Sequence, residues 1–227
     1  TEVKDNAIKA TFDYHKEKEK QGKVGMTSCQ LKDYDGEILF NSNMTFPNIK
    51  KHLYNNPLCF KLGVNPPARR SFEQRMADHQ KDHEPAWIGI AFGIIKRTHF
   101  TEENFWFDED IFMYSDEVEW CLRLHKKGYT HYFTASHCIY HINCGSPASS
   151  DWRYGQITLS EFLYFYKIYG KLYYEIMLKS IKAFLAKAPK DEYKIERDIM
   201  NRYAKKIPQL YSQKLSSGES YLKYELV

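Results

Sequence analysis

Two carboxylates, Asp116 and Glu117, open the most chemically suggestive stretch of this 227-residue chain: Phe107-Asp-Glu-Asp-Ile-Phe-Met-Tyr-Ser-Asp-Glu-Val-Glu-Trp-Cys-Leu-Arg-Leu124. A carboxylate so placed can take the proton of an attacking hydroxyl. It can equally do no more than complement the positive end of a helix macrodipole, by about 0.3–1 kcal/mol. Glu119 and Arg123 have the spacing of an ordinary helix ion pair. His141 follows after a returning β segment, an order that can bring acid and imidazole to one cleft. With Cys138 and Cys144 it spells Cys-x-x-His-x-x-Cys, next to His137, which raises structural zinc. That spacing fits no common zinc module, and strand alternation sends His137 and Cys138 to opposite faces. His79 and His83 stand four apart and can ligate a metal from a helix or form a solvated polar face. Gln80 follows His79, so the pair is not an HExxH motif.

The elements that must position these groups follow from periodicity. Ala7, Ile8, Thr11, Phe12 and His15 predict a helix over residues 5–20, and Gly22 ends it. A strand is expected over 23–31, an Asp-Gly turn over 33–36 and a returning strand over 37–40. Five prolines between 41 and 85 predict loops with one or two short helices, one near 71–80. Residues 86–97 are the most apolar run and read as one buried central strand, with Gly89 and Gly93 marking a close approach of backbone or ligand. Residues 98–104 suggest a short helical turn. Ser115 is the expected N-cap of a helix that stops at Gly128. Two short strands are expected over 129–133 and 136–140. A long helix is expected over about 159–187, weak at Gly170 and broken by Pro189. A second is expected over about 191–206, stopped by Pro208, and a loose tail beyond it.

Composition narrows the class. The chain is 43% hydrophobic with 18 Tyr and 14 Phe, enough for a core. No uncharged apolar run reaches about 18 residues, so no transmembrane helix is expected. The first 25 residues are charged and carry no apolar leader, so no signal peptide is expected. A net charge of +4 is mild, and no nucleic-acid motif accompanies it. The five cysteines, at 29, 59, 121, 138 and 144, are odd in number and form no CxxC, which favours reduced thiols and a cytoplasmic setting.

The ordered set Gly93-Ile-Ile-Lys-Arg97, Phe107-Asp-Glu-x-x-Phe-x-Tyr114, Asp116-Glu-Val-Glu-x-Cys-Leu-Arg123, Gly128-Tyr129, His141 and Gly145-Ser146 resembles the acceptor half of family-2 inverting glycosyltransferases. The closest likeness is to rhamnosyltransferase-type enzymes of surface-polysaccharide assembly. It is strong over about residues 86–146, weaker back to Asp5, and carries no specificity over roughly the last 70 residues.

The resemblance implies an α/β, GT-A-like mixed sheet with flanking helices over 1–150, followed by C-terminal helices over 151–227. It implies transfer of a sugar, with inversion, from a nucleotide-sugar donor to a glycan or lipid-linked glycan acceptor, with Mn²⁺ or Mg²⁺ as cofactor. No βαβ nucleotide-binding unit precedes the first helix, so the chain is expected to be the C-terminal portion of such an enzyme. By the resemblance the base stands at Glu117, with Asp116 as its nearest rival, and His141 is a metal or diphosphate contact. Trp87, Gly93 and Tyr114 would line the acceptor side, and Gly145 and Ser146 the loop near the leaving phosphates. Two family aspartates are glutamates here, at 117 and 119, and Ser160-Glu161 replaces a frequent Arg-Asn pair. A non-catalytic glycan-binding or interaction module derived from such an enzyme is the alternative. The aromatic, lysine-bearing helix beyond Leu159 implies either peripheral membrane contact at the inner face of the cell membrane or packing within the protein.

Overall fold

The computed structural model of the chain describes residues 1–3, 5–48, 70–142, 149–213 and 223–225. Two units partition the sequence. The first comprises Thr1–Phe46, Arg69–Asp108 and Glu117–Pro147; the second comprises Pro47–Ala68, Glu109–Asp116 and Ala148–Val227.

In the first unit, helix α1 (Ala7–Glu19) leads into β2 (Val24–Lys32), as the periodicity predicts. The turn after β2 closes with the Gly36 N–H donating to the Asp33 carbonyl, and Gly36 takes φ 89°, a conformation that glycine adopts without strain. The returning strand is β3 (Ile38–Leu39). β2 pairs in parallel with β7 (Thr130–Tyr140), and β7 pairs antiparallel with β1 (Glu2–Val3). β6 (Ile94–Ile95) adds to β2 antiparallel, while β4 (Ser42–Asn43) and β5 (Trp87–Ile88) form a separate two-stranded ladder. The architecture is therefore α/β, with a mixed sheet and flanking helices.

Residues 86–97 do not form the expected single central strand. They split into β5 and β6, which belong to different sheets. Their alternation also differs from a strand buried on both faces: Ile88 is buried while Ile90 is exposed. Two expected strands over 129–140 are instead one, β7, interrupted where its register moves from Thr134 opposite Cys29 to Cys138 opposite Gln30. The Asp82 carboxylate holds this irregularity by accepting from the Thr134 hydroxyl and the Ala135 N–H, both at 2.9 Å.

A second irregularity lies between Val24 and Thr27. There the Met26 N–H leaves the ladder and donates to Nδ1 of His131 at 3.2 Å, while Nε2–H of His131 donates to the Cys121 carbonyl at 3.1 Å. Gly25 makes room, because a Cβ there would lie 2.6 Å from the imidazole Cε1. His131 thus joins β2, β7 and the helix α4 (Asp116–Lys126) through one neutral ring. The core beneath comprises Met26, Ile88, Trp120, Cys121 and Leu124. Burial pushes the thiols of Cys29 and Cys121 up, to about 11 and about 12, and both are free.

Helix α2 (Phe72–His79) begins with a capping box between Ser71 and Gln74, and α3 (Thr98–Thr101) is a single turn. In the second unit, α5 (Ser150–Leu185) is interrupted at Gly170, whose φ 76° and ψ 176° are essentially restricted to glycine. It is followed by α6 (Lys194–Arg202) and α7 (Lys206–Gln213). Pro208 does not stop a helix but sits in the first turn of α7, where a missing N–H costs nothing. Among the described residues no helix is long and apolar enough to cross a membrane.

Burial holds the pKa of His131 down to about 4 from 6.5, because protonating Nδ1 would set it against the Met26 N–H. A folded pKa below the unfolded one contributes stability that is complete above pH 6.5 and lost as pH falls toward 4. Urea unfolding should therefore show a loss of about 3 kcal/mol over that interval. His131→Gln should flatten the profile. Gly25→Ala should cost about 1–3 kcal/mol at neutral pH through overpacking against the imidazole.

Candidate functional site

The segment before α4 enters the helix from left-handed backbone, as Asp5 and Asn6 do ahead of α1. Tyr114 and Ser115 both take left-handed backbone conformations, with φ 64° and 63°. Side chains reach this region at a cost on the order of 1–3 kcal/mol each. Ser115 stands immediately before the helix, as the sequence predicts, with a left-handed rather than the usual extended backbone. Asp116 and Glu117 follow at once as the first residues of α4, both half-buried.

The turn is held from within the second unit. The Ser160 hydroxyl on α5 donates to the Met113 carbonyl at 2.7 Å. Gln156 donates to the Ser160 hydroxyl at 3.0 Å. Lys167 forms an ion pair with Asp110 in which both side chains are about nine-tenths buried. Ser160 was legible only as a departure from the family pattern, and Lys167 only as one cation among several on a long helix. Neither spacing signals that it anchors a turn some 50 residues earlier.

Further along α4 the acidic residues diverge in role. Glu119 is buried, and both carboxylate oxygens accept from Nε of Arg123, at 2.7 and 2.9 Å. Arg123 also donates to the Trp106 carbonyl at 2.6 Å. Glu119 is thus committed to structure, as helix spacing alone suggests. Trp120, one turn beyond Glu117, is fully buried, donates to the Phe105 carbonyl at 2.7 Å and stacks with Phe107 and Phe100. Trp87 packs against the same core, and its indole N–H donates to the Thr45 carbonyl at 3.2 Å. Gly93 faces Met26, whose sulfur would lie 2.8 Å from an added Cβ. The first unit therefore gathers Trp87 and Gly93 around the core on which α4 lies.

His141 stands just past the end of β7. Its N–H donates to the Lys32 carbonyl at 2.8 Å, and its Nδ1 is 3.0 Å from the Thr1 hydroxyl. Burial lowers its pKa, so the ring is neutral and can offer a lone pair. Gly145 and Ser146 lie outside the described residues. The zinc pattern of Cys138, His141 and Cys144 is likewise incomplete there, since Cys144 is also outside them. Among the described residues no group of three or more His, Cys, Asp or Glu side chains is arranged to hold a metal.

A second constellation was not foreseen in its actual form. Helix α2 ends at His79, so His79 and His83 do not share a helix face. They are brought together instead by the bridge between His83 and Phe133. Nε2 of both rings meets the Ser42 hydroxyl, at 3.1 and 3.0 Å. Ser42 lies 37 residues before His79, and nothing in the sequence joins them. No protein-family model matches the chain, and no curated protein matches it.

Two predictions separate strain from stability here. Ser115→Gly should raise stability by about 1 kcal/mol by removing left-handed strain, whereas Ser115→Ala should not. Glu119→Ala should cost about 2–3 kcal/mol, allowing for the water that reaches Arg123. Chemical denaturation of the three variants reads all of these changes.

Proposed function

We propose that the chain carries the acceptor side of an inverting, family-2-type glycosyltransferase of GT-A-like fold. The observation that best supports this is the pair of left-handed residues, Tyr114 and Ser115, immediately ahead of Asp116 and Glu117. Glu119 is engaged by Arg123, and the proposal places the proton chemistry on Glu117 and Asp116 by the order of the motifs.

In the proposed reaction the Glu117 carboxylate takes the proton of the acceptor hydroxyl as its oxygen bonds to the anomeric carbon. Attack comes from the face opposite the nucleoside diphosphate. The bond from that carbon to the diphosphate oxygen breaks, and its electron pair leaves with the diphosphate. Asp116, its neighbour in the chain, is the rival candidate for the base. Trp87 is proposed to line the acceptor side, where Gly93 lets Met26 approach closely. The implied Mn²⁺ or Mg²⁺ would supply charge neutralisation of the leaving group. Of the described residues His141 is its proposed ligand, a single neutral imidazole of the kind such ions accept among oxygens. Because the described residues form no fuller ligand set, the steps above rest on the carboxylates.

The proposed donor is a nucleotide-sugar and the acceptor a glycan or lipid-linked glycan, as in surface-polysaccharide synthesis. Exposed Leu172, Tyr173 and Ile176, with exposed Lys171 and Lys179 on the same helix, support peripheral contact with an anionic membrane where a lipid-linked acceptor would lie. The proposed location is accordingly the cytoplasmic face of the cell membrane.

Transfer assays with a panel of UDP-, dTDP- and GDP-sugars and Mn²⁺ test the reading. Glu117→Gln should lower kcat by about 10²–10⁴-fold with little change in donor KM. A larger loss in Asp116→Asn than in Glu117→Gln would move the base to Asp116. Unchanged transfer in both Glu117→Gln and Asp116→Asn would overturn the proposal.

A further inference from the structure

A recess beside β4 gathers more positive charge than it neutralises. Asn43, Arg70, Arg75 and Asp78 line it, beside the imidazoles of His79 and His83. Both imidazoles are satisfied. Each donates Nδ1–H to a backbone carbonyl, and each Nε2 accepts from Ser42, that of His79 from the N–H and that of His83 from the hydroxyl. The charged groups are therefore two guanidiniums and one carboxylate, which leaves one net positive charge. Asp78 is already taken, with its two oxygens 2.7 and 2.6 Å from Nη2 of Arg70. The Arg75 guanidinium meets no hydrogen-bond acceptor among the described residues. Other nearby carboxylates are engaged elsewhere: Asp82 accepts from Thr134 and Ala135, and Glu73 bonds with Ser71.

Arg75 is nevertheless held in place. Its guanidinium lies over the Phe40 ring, 4.2 Å from the centroid, and Phe40 is met edge-on by Phe72 and His79, at 5.5 and 5.1 Å. Stacking on an aromatic face leaves the N–H edge of a guanidinium open to an oxyanion. Arg75 is half-buried, so it has lost part of its hydration and gained no charge-assisted hydrogen bond in exchange. The recess also adjoins Trp87. In the β4–β5 ladder Asn43 stands directly opposite Trp87, and opposed residues of antiparallel strands put their side chains on the same face.

We infer that this recess holds the anionic group, a carboxylate or a phosphate, of an acidic glycan, with Arg75 as the principal contact and Arg70 and Asn43 beside it. The inference rests on the glycosyltransferase reading, in which Trp87 lines the acceptor side, and it names the class of acceptor. Two oxygens of a carboxylate or phosphate match the fork of the Arg75 guanidinium. Arg70 binds Asp78 through Nη2, so its Nη1–H groups can serve a ligand as well. The Asn43 amide adds a neutral donor. A neutral sugar would leave Arg75 without an anion, whereas a single negative charge balances the recess.

The test is calorimetric titration of the intact chain, without donor or metal, with methyl glucuronide, a hexose phosphate and methyl glucoside. The acidic probes should bind saturably and at least about tenfold tighter than the neutral one, and added salt should weaken them. Which of the two acidic probes binds tighter identifies the carboxylate or the phosphate as the group recognised. Arg75→Met, which keeps an apolar stem over Phe40, should remove the preference and leave the affinity for the neutral probe unchanged. In the unaltered chain the Nε–H resonance of Arg75 should shift with the acidic probes only, a reading that needs no variant. Because no donor is present, failure of the proposed transfer reaction does not alter these readings. Absence of saturable binding of either acidic probe, equal affinity for acidic and neutral probes, unchanged acidic-probe affinity in Arg75→Met, or an Arg75 resonance that stays fixed would overturn the inference and leave the proposed reaction untouched.

Discussion

Parallel pairing of β2 with β7 is the constraint from which the first unit follows. It sets residues 24–32 beside residues 130–140, although about a hundred residues separate them in the chain. A parallel pair cannot close through a tight turn and needs a crossover. The crossover here carries β3 through β6, the short helices α2 and α3, and α4, whose buried face of Trp120, Cys121 and Leu124 packs in the core with Met26 of β2. Any change that loosens the pair therefore also loosens the helix that begins with Asp116 and Glu117.

Both interruptions of that ladder are stabilised by side chains. At the first, His131 takes the N–H that Met26 withdraws from β7 and ties the strand pair to α4 through Cys121. At the second, Asp82 caps the extra residues of β7 after Thr134. Irregularities of this kind re-aim the chain near sites. His83, next to Asp82, is bridged to Phe133, next to Thr134, so the second interruption also brings the imidazole pair to Ser42. His141 emerges at the far end of the same strand. One strand thus supports both groups of candidate residues in the first unit.

What could be read from the sequence was what local chemistry dictates. Helix α1, strand β2, the turn at Gly36, the short helix near Ser71 and the break at Gly170 each rest on residues within a few positions of one another. The Glu119 and Arg123 pair was visible for the same reason. Residues 86–97 misled because a short apolar run looks the same whether it is one buried strand or two short strands of different sheets. The strain at Tyr114 and Ser115 was invisible because neither residue type announces positive φ. Ser42 and Ser160 could not be found because their partners, His79 and Met113, lie tens of residues away. The carboxylates and His141 came from the order of motifs, which conveys chemistry but not distance.

The most direct test of the central claim is whether a metal–nucleotide complex binds next to both Glu117 and His141. Paramagnetic broadening by Mn²⁺ in the presence of a UDP- or dTDP-sugar, read by NMR on the intact chain, measures this. The account predicts donor-dependent broadening at Glu117 and His141 together, distinct from any effect at His79 and His83. Broadening that spares Glu117 and His141 while the donor is bound would contradict it.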